Sequence, residues 1–288
     1  MKKLISVLLT IMLLGASTLA FAEVPVPTET ALGDGVVETY AFDGITLYAY
    51  NTGDLLDDTC YAFASDEGIV VLESAAFKAT NSTWKEFLDA TGKPIVATIM
   101  AYHPNGYDTY GIDNPYATSN ALENWAEGGA IRVLTTDQFV PGFGDVIADT
   151  FPSQSNEVAF GDTITLAGID FVICDEGDDA FGVEIPAINT KYIHMMGSDV
   201  HNILTSVAHI DAFIAELEGY DYDLILTSHY APEGREAVAA KIVYLNTVKE
   251  LAAKCETADA FTAAMNEAFP EYSGSNYLDM TAGFLYAE

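Results

Sequence analysis

Two patterns of hydrophobic and polar positions follow each other along the chain, one typical of strands and one of helices. Early in the chain, short runs rich in β-branched and aromatic residues are separated by acidic or glycine turns, which predicts strands. A run with helical spacing follows, and then another apolar run. The predicted strands are residues 36–42, 46–51, 59–65, 68–74 and 95–100, and the predicted helix is residues 84–90.

The second half repeats this order of strands followed by helices. Strands are predicted at residues 130–135, 157–160, 163–166, 171–174, 183–185, 191–195 and 224–227, and a long loop at residues 139–156. Helices are predicted at residues 120–127, 199–217, 236–254 and 258–269. The doubled pattern predicts an α+β fold, a four-layer αβ/βα sandwich of two mixed β-sheets flanked by helices.

The first residues have the features of an export signal. Lys2 and Lys3 precede an apolar core, and Ala20-Phe21-Ala22 is typical of a cleavage site. We therefore expect a signal peptide over residues 1–22, a linker over residues 23–35 and one domain over residues 36–288. The mature chain is expected to be secreted, in the periplasm or outside the cell, and to make no contact with membrane.

The charge of the chain excludes some classes of partner. There are 43 acidic and 11 basic residues, which gives a net charge of −32. Nucleic acid and anionic membrane surfaces would be repelled, so a small-molecule ligand or substrate is the expected partner. Cys60, Cys174 and Cys255 are an odd number, so one thiol at least is free, and any pairing stays open.

Two histidines end predicted interior strands. His103 follows the strand at residues 95–100, and His229 follows the strand at residues 224–227. Because strand ends carry ligand sites in folds of this kind, we expect both imidazoles to face one cleft. We do not expect the other histidines to be ligands: His194 is predicted to pack inside a strand, and His201 and His209 lie on a predicted helix.

The order of these landmarks resembles that of the metallo-β-lactamase superfamily. A hairpin ends in the acid Glu73, and residues 103–111 resemble the family's H-x-H-x-D-H-x-x-G stretch. Residues 174–180 stand where the family has a histidine turn, residues 193–199 resemble its strand ending in G-D, and residues 226–234 its G-H-x-x-P segment. The resemblance covers residues 36–232. It implies two metal ions, usually zinc, which activate water for hydrolysis.

Carried over residue by residue on the register that keeps Gly111, the resemblance implies a set of site residues. The implied metal ligands are His103, Asn105, Asp108, Asp178, Asp199 and His229. Ser198 falls on the position of the bridging aspartate, and Tyr107 replaces another aspartate. Together with Tyr102 and Tyr230, these two line the expected cleft.

An oxygen-rich ligand set suits a harder cation than zinc. The sequence therefore leaves alternatives: the site holds one divalent cation (Zn²⁺, Mn²⁺ or Ca²⁺), or it holds none. In the first case the chain is a hydrolase-like protein with a remodelled metal site that cuts ester-like or amide-like bonds. In the second the metal site is degraded, and the chain is a non-catalytic extracellular module that binds ligands in the same cleft. The substrate and the oligomeric state stay open.

Overall fold

Two mixed β-sheets pack face to face in the computed structural model, which describes residues 24–176 and 181–287. The first sheet has eight strands in chain order: β1 (Thr28–Leu32), β2 (Gly35–Ala41), β3 (Thr46–Asn51), β4 (Thr59–Ala64), β5 (Ile69–Leu72), β6 (Ile95–Ile99), β7 (Tyr116–Thr118) and β8 (Asn156–Val158). The second has six, in the spatial order β14 (Glu233–Gly234), β13 (Leu224–Thr227), β12 (Thr190–Ile193), β11 (Phe181–Ile185), β10 (Ile169–Asp175) and β9 (Thr163–Leu166). The predicted signal peptide lies outside the described residues.

Helices cover the outer face of each sheet. They are α1 (Lys78–Ala90), α2 (Ser119–Trp125), α3 (Ala130–Leu134), α4 (Val140–Phe143), α5 (Val207–Glu218), α6 (Arg235–Lys254), α7 (Ala258–Ala268) and α8 (Ser275–Leu285). Trp84 of α1 stacks on Tyr50 of β3, with ring centroids 5.3 Å apart. On the second sheet, Ile225 of β13 belongs to one buried cluster with Ile210 of α5 and Leu245 of α6.

The main core lies between the sheets. Phe63 of β4 meets Phe171 of β10 edge to face at 5.4 Å, and Tyr61 meets Tyr192 of β12 at 6.2 Å. Strands of both sheets thus bury their inner faces against each other. The predicted four-layer αβ/βα sandwich is confirmed.

Several element boundaries differ from the sequence analysis because tertiary contacts override local pattern. Residues 28–32, within the predicted linker, form β1, which pairs with β2 and satisfies the backbone groups of that edge. Helix α5 begins at Val207, because the Ser206 hydroxyl accepts the His209 N–H, instead of at residue 199. The apolar run at residues 130–134 is helical, an ambiguity that periodicity cannot resolve in so short a run.

Two further differences lie outside the sheets. The predicted loop at residues 139–156 contains α4 and the start of β8, and α8 adds a third helix at the carboxyl end of the chain. Within the described part of the chain, every helix is too short or too polar to cross a bilayer.

Each sheet contains parallel strands whose carboxyl ends point to the same edge of the molecule. β5 and β6 are parallel in the first sheet, and β12 and β13 in the second. The sheets join directly at this edge: the Tyr61 hydroxyl donates to the Thr227 carbonyl at 2.7 Å and accepts the Thr227 N–H at 3.0 Å. The backbones of Asp58 and His229 also form an isolated antiparallel β-bridge. Residues that follow these four strands are therefore brought together.

Candidate metal centre

Three histidines meet where the two sheets join. His103 follows β6, His194 follows β12 and His229 follows β13. One ring nitrogen from each lies within 4.8 Å of the others, close enough for one ion to share them after small side-chain movements. The ring centroids are 5.1 Å apart for His103 and His229, and 5.3 Å for His103 and His194. The two histidines expected from the sequence to share a cleft thus do so, with a third beside them.

Glu73 orients His103 and the loop that carries it. It is 1% exposed and follows β5 with a φ of 67°, in the left-handed region. Its carboxylate accepts the N–H groups of Ala101, Tyr102 and His103 at 2.6 to 2.9 Å, and lies 3.1 Å from His103 Nδ1. Because an ionised carboxylate can only accept hydrogen bonds, Nδ1 of His103 is the donor. Its Nε2 is therefore the nitrogen that would bind an ion.

His229 is held in the same way by a backbone group. Its Nδ1 lies 3.0 Å from the Leu56 carbonyl oxygen, which can only accept. Nδ1 therefore donates, and Nε2 is left as the acceptor. Asp58, which is 3% exposed, lies 3.5 Å from the same Nδ1 and accepts the Ala76 N–H at 2.7 Å. A second buried carboxylate thus stands behind the imidazoles.

His194 has a ring nitrogen without a protein partner. Its Nε2 is buried and makes no hydrogen bond, an arrangement that is costly unless something else binds it. The ring stacks on Tyr102, with centroids 3.5 Å apart. The orphaned nitrogen indicates a ligand position in the centre of the histidine group.

The protonation of His194 and His229 suits metal binding, whereas Glu73 favours the protonated form of His103. Burial lowers the pKa of His194 well below its usual value, and burial together with the neighbouring His103 lowers the pKa of His229 to about 3. Burial opposes protonation of His103 too, but the hydrogen bond and charge of Glu73 outweigh it and raise its pKa. Neutral imidazoles are the form that binds a metal.

Three of the other ligands implied by the sequence, Asn105, Asp108 and Asp199, are not part of this histidine group. The Asn105 amide is buried and donates to Thr135 Oγ1 at 3.1 Å and to the Ala148 carbonyl at 2.8 Å, bracing the loop. Asp108 is exposed and accepts the Thr150 hydroxyl at 2.8 Å. Asp199 is exposed, and its backbone carbonyl accepts the Ser273 N–H. Asp178 lies outside the described residues.

The expected cleft residues have different positions. Tyr102 stacks on His194, and the ring of Tyr230 lies 6.3 Å from that of His229. Ser198 donates its N–H to Glu233 at 2.8 Å. Tyr107 opens a short 3₁₀ turn beyond the His103 loop. Tyr102 and Tyr230 thus border the histidines directly.

Sequence reasoning missed His194 and the two buried carboxylates as members of this centre. His194 was expected inside a strand over residues 191–195, but β12 ends at Ile193, so its side chain leaves the sheet. Asp58 gives no local signal, because it only meets His229 through pairing of distant segments. Glu73 did have a local signal, because it is the acid at the end of a predicted strand. That position could have identified it as a member of the centre.

A cavity of about 600 Å³ opens beside His194, whereas His103 and His229 are not part of its lining. His194 and Tyr102 form part of its wall, which continues along β12, the segment before α5 and the inner side of α5. This volume is within the range of roughly 300–1,000 Å³ usual for sites that bind small molecules. The histidine centre therefore has a space in which a substrate could lie.

Comparisons with known proteins bear on the fold. No protein-family model and no curated protein matches the sequence. Among solved structures, the chain is similar to the inverting sec-alkylsulfatase Pisa1 from Pseudomonas sp., with a TM-score of 0.57 and 16% identity over 89% of this chain and 50% of that one. It therefore spans about half the length of the alkylsulfatase.

Two further structures are matched over most of their length. A β-lactamase domain protein from Burkholderia ambifaria has a TM-score of 0.58 and 14% identity over 86% of each chain. A metallo-β-lactamase family protein from Thermus thermophilus has a TM-score of 0.57 and 11% identity over 85% of this chain and 93% of that one. At these identities the likeness is one of architecture. The protein described here has the metallo-β-lactamase fold.

Proposed function

We propose that this protein is a hydrolase that depends on a divalent cation and cuts an ester-like or amide-like bond of a small molecule. The observation that carries the proposal is the meeting of His103, His194 and His229, each with a ring nitrogen available at one point. Three imidazoles with room for a further ligand are a common protein site for a catalytic zinc ion.

The donor set favours one of the cations that the sequence left open. Imidazole nitrogen suits Zn²⁺, whereas Ca²⁺ requires six to eight oxygen ligands and Mn²⁺ prefers carboxylates. Zn²⁺ is therefore the proposed ion. When bound, it supplies Lewis acidity, which makes water a nucleophile near neutral pH and polarises the bond to be cut.

The residues around the histidines have positioning and electrostatic roles. Glu73 and the Leu56 carbonyl hold the rings of His103 and His229 through Nδ1, which keeps Nε2 directed at the centre. The buried carboxylates of Glu73 and Asp58 offset the charge of a bound cation. His194 faces the cavity, so the bond to be cut is presented from that side.

Compared with the H-x-H-x-D-H pattern, this centre is remodelled. Only His103 remains of the three histidines in that stretch, and His194 provides an additional ring from the other sheet. The replacement keeps three nitrogen donors without a contribution from Asn105, Asp108 or Asp199, the implied oxygen ligands among the described residues. Such a set supports one bound ion in place of two.

The experiment is metal binding with matched histidine variants. The mature chain is treated with a chelator, and Zn²⁺, Mn²⁺ and Ca²⁺ are titrated separately by calorimetry, with bound metal counted by mass spectrometry. We expect one Zn²⁺ per chain, and a loss of affinity of more than about a hundredfold in His103→Ala, His194→Ala and His229→Ala. Asp108→Ala, at an exposed carboxylate that lies outside the histidine group, is the control.

Hydrolysis of a panel of esters and amides is measured on the same proteins. Activity that returns with Zn²⁺ and is lost in the three variants supports the proposal. Unchanged Zn²⁺ binding in His194→Ala would contradict the assigned ligand set. Metal-independent binding of ligands without any hydrolysis would support the non-catalytic binding module instead.

We further propose that the chain is exported and cleaved after Ala22. The basic start, apolar core and A-x-A site of residues 1–22 support this. Expression of the full chain in a Gram-negative host, followed by mass determination, should give a periplasmic or extracellular protein that begins at Glu23. Recovery of only the uncut chain in the cytoplasm would refute it.

A further inference from the structure

One wall of the cavity beside His194 is a stretch of chain without helix or strand. It comprises residues 195–206 (the wall segment), which follow β12 and precede α5. Its central part is buried, with His201 and Leu204 each 1% exposed. Because a buried stretch of backbone without a ladder of strand hydrogen bonds must satisfy its polar groups in another way, its shape depends on the side chains that bind it. The cavity-lining residues of the wall segment are Met195, Asn202, Ile203, Leu204 and Thr205.

Thr281 of α8 binds two backbone groups of the wall segment. It is fully buried, and its hydroxyl oxygen accepts the Leu204 N–H at 2.8 Å. The same hydroxyl donates to the Asn202 carbonyl at 2.7 Å. Both partners line the cavity. Since a hydroxyl can donate and accept at the same time, one side chain supplies two hydrogen bonds that a neighbouring strand would otherwise make.

Lys241 of α6 binds the wall segment from a second helix. Its buried Nζ donates to the Val200 carbonyl and to Asn202 Oδ1, both at 2.7 Å. The Asn202 amide in turn donates to the Met196 carbonyl at 3.3 Å. Asn202 is thus held through its side chain by Lys241 and through its backbone carbonyl by Thr281. The position of this cavity-lining residue is therefore set by α6 and α8 together.

We infer that Thr281 and Lys241 are positioning residues: they hold the wall segment in the shape that binds substrate in the cavity. The inference rests on the proposed hydrolase function. A wall segment that is held less firmly loses contacts with the substrate in the ground state and in the transition state alike. KM should then rise while kcat stays nearly unchanged.

The metal ligands are held by other contacts. His103 is oriented by Glu73. His194 precedes the wall segment, and its backbone carbonyl accepts the Ser228 N–H at 3.0 Å, which fixes it to the end of β13. We therefore expect Zn²⁺ affinity to be independent of the contacts that Thr281 and Lys241 make.

Two substitutions at Thr281 test the inference. Thr281→Val keeps the size of the side chain but removes the hydroxyl, so two buried backbone groups lose their partner, whereas Thr281→Ser keeps the hydroxyl. Kinetics are measured with the ester of the panel that the unaltered protein cuts fastest. In Thr281→Val we expect KM to rise by about tenfold, with kcat and Zn²⁺ affinity changed by less than about twofold. Thr281→Ser should restore most of the loss, and Lys241→Met should raise KM as well; an unchanged KM in Lys241→Met would refute the role of that residue.

Thr190→Val is the matched control, because it separates positioning from a general loss of stability. Thr190 is as buried as Thr281, and its hydroxyl donates to the Ile188 carbonyl at 3.0 Å, outside the wall segment. This variant should be destabilised but keep its KM. Hydrogen exchange of residues 195–206, followed by mass spectrometry on the metal-free protein, should be at least about tenfold faster in Thr281→Val and unchanged in Thr190→Val. An unchanged KM in Thr281→Val, or an equal rise in both valine variants, would overturn the inference.

A binding measurement separates this inference from the proposed function. Butanamide, hexanamide and octanamide are titrated by calorimetry into the metal-free forms of the unaltered protein and of both valine variants. If no ester is cut, but the amides bind and only Thr281→Val weakens them, the hydrolase proposal fails and the positioning role stands. If esters are cut with the same KM in Thr281→Val, the positioning role fails alone. If no ester is cut and no amide binds the unaltered protein, both are refuted.

Discussion

Glu73 shows what a buried carboxylate needs in order to be tolerated. It is 1% exposed, and its two oxygens receive three backbone N–H groups as well as the His103 ring. Hydrogen bonds to a charged group are each worth roughly 1.5–3 kcal/mol, and they replace the water that burial removes. The same bonds shape the loop, so the stability of the fold and the geometry of the centre depend on one side chain.

Replacing Glu73 with Gln should therefore affect both properties. The amide keeps the size of the group but turns an N–H₂ towards N–H donors, leaving at least one of them unsatisfied. We expect the free energy of unfolding to fall by about 3 kcal/mol, and Zn²⁺ affinity to fall by roughly 10–100-fold. Urea unfolding and calorimetry measure the two effects. Glu86→Gln, at an exposed position of α1, should change neither; equal losses in both variants would refute the role of Glu73.

Lys241 is another buried ionisable group, outside the group of three histidines. It is fully buried on α6, and its Nζ donates to the Val200 carbonyl and to Asn202 Oδ1, both at 2.7 Å. Burial lowers its pKa to about 7, although Glu233 and Asp199 act in the opposite direction. The folded chain thus releases a proton that the unfolded chain keeps up to a pKa of about 10.4.

This linkage predicts a pH dependence of stability. Between about pH 7 and 10 the unfolded state binds more protons at Lys241 than the folded state does, so the contribution of Lys241 to the free energy of unfolding should rise with pH, by up to about 1 kcal/mol per unit. Glu176, whose pKa burial raises to about 9, contributes in the opposite direction up to that pH, so the effect of Lys241 is measured as a difference between two proteins. Urea unfolding at three pH values in this window should show that the free energy of unfolding of the unaltered protein increases relative to that of Lys241→Met as the pH rises. Lys254→Met, where the side chain is 62% exposed, is the control. The same slope in Lys241→Met would contradict the prediction.

At the scale of elements, the centre is built where strands end. The parallel pairs β5–β6 and β12–β13 release their chains at one edge, and the following loops turn the histidines inwards. The loop after β6 needs a glycine: Gly106 has a φ of 73°, and a Cβ there would lie 2.5 Å from Asn81 Nδ2. Since Asn81 is fully buried and pairs with both backbone groups of Ala75, it has little freedom to move.

Substituting two glycines that have the same φ separates the loss of stability caused by crowding from the loss caused by backbone strain. Gly111 also has a φ of 73°, but a Cβ there meets nothing within 4 Å. Gly111→Ala should cost about 1 kcal/mol for the left-handed conformation, and Gly106→Ala should cost about 2 kcal/mol more because Asn81 must shift. Urea unfolding measures both. Equal costs would mean that the loop can move away without penalty.

At the scale of the whole molecule, the net charge of −32 is the dominant electrostatic feature. Its acids are spread along the chain, so the compact state brings like charges close together and is destabilised by their repulsion. Screening acts over a Debye length that shrinks from about 30 Å at 0.01 M salt to about 10 Å at 0.1 M. The charge also disfavours the approach of anionic ligands from a distance.

We therefore expect added NaCl to raise the melting temperature of the metal-free protein. The gain should be largest below about 0.2 M and then level off, because screening is by then nearly complete. Calorimetric melts over a salt series measure it. A gain that continues in proportion to concentration up to about 1 M would indicate a general salting-out of apolar surface instead of charge screening.

The sequence by itself determined the layers and two of the three histidines. Periodicity of two and of 3.6 residues is a local property, so the doubled order of strands and helices could be predicted before pairing was known. His103 and His229 stood out because each ends an apolar strand. The cap of α7 is likewise a local feature, since Thr257 directly precedes the helical run and its side chain accepts the Ala260 N–H.

Only the tertiary structure decided which side chains converge. Strand β12 ends at Ile193, the last residue that pairs with β13. Since His194 lies beyond this boundary, its ring leaves the sheet and joins the histidine centre. The Asn105 amide is drawn away by Thr135 and Ala148, and Asp58 meets His229 only when the sheets join. Convergence depends on contacts between segments far apart in the chain, which no local pattern encodes.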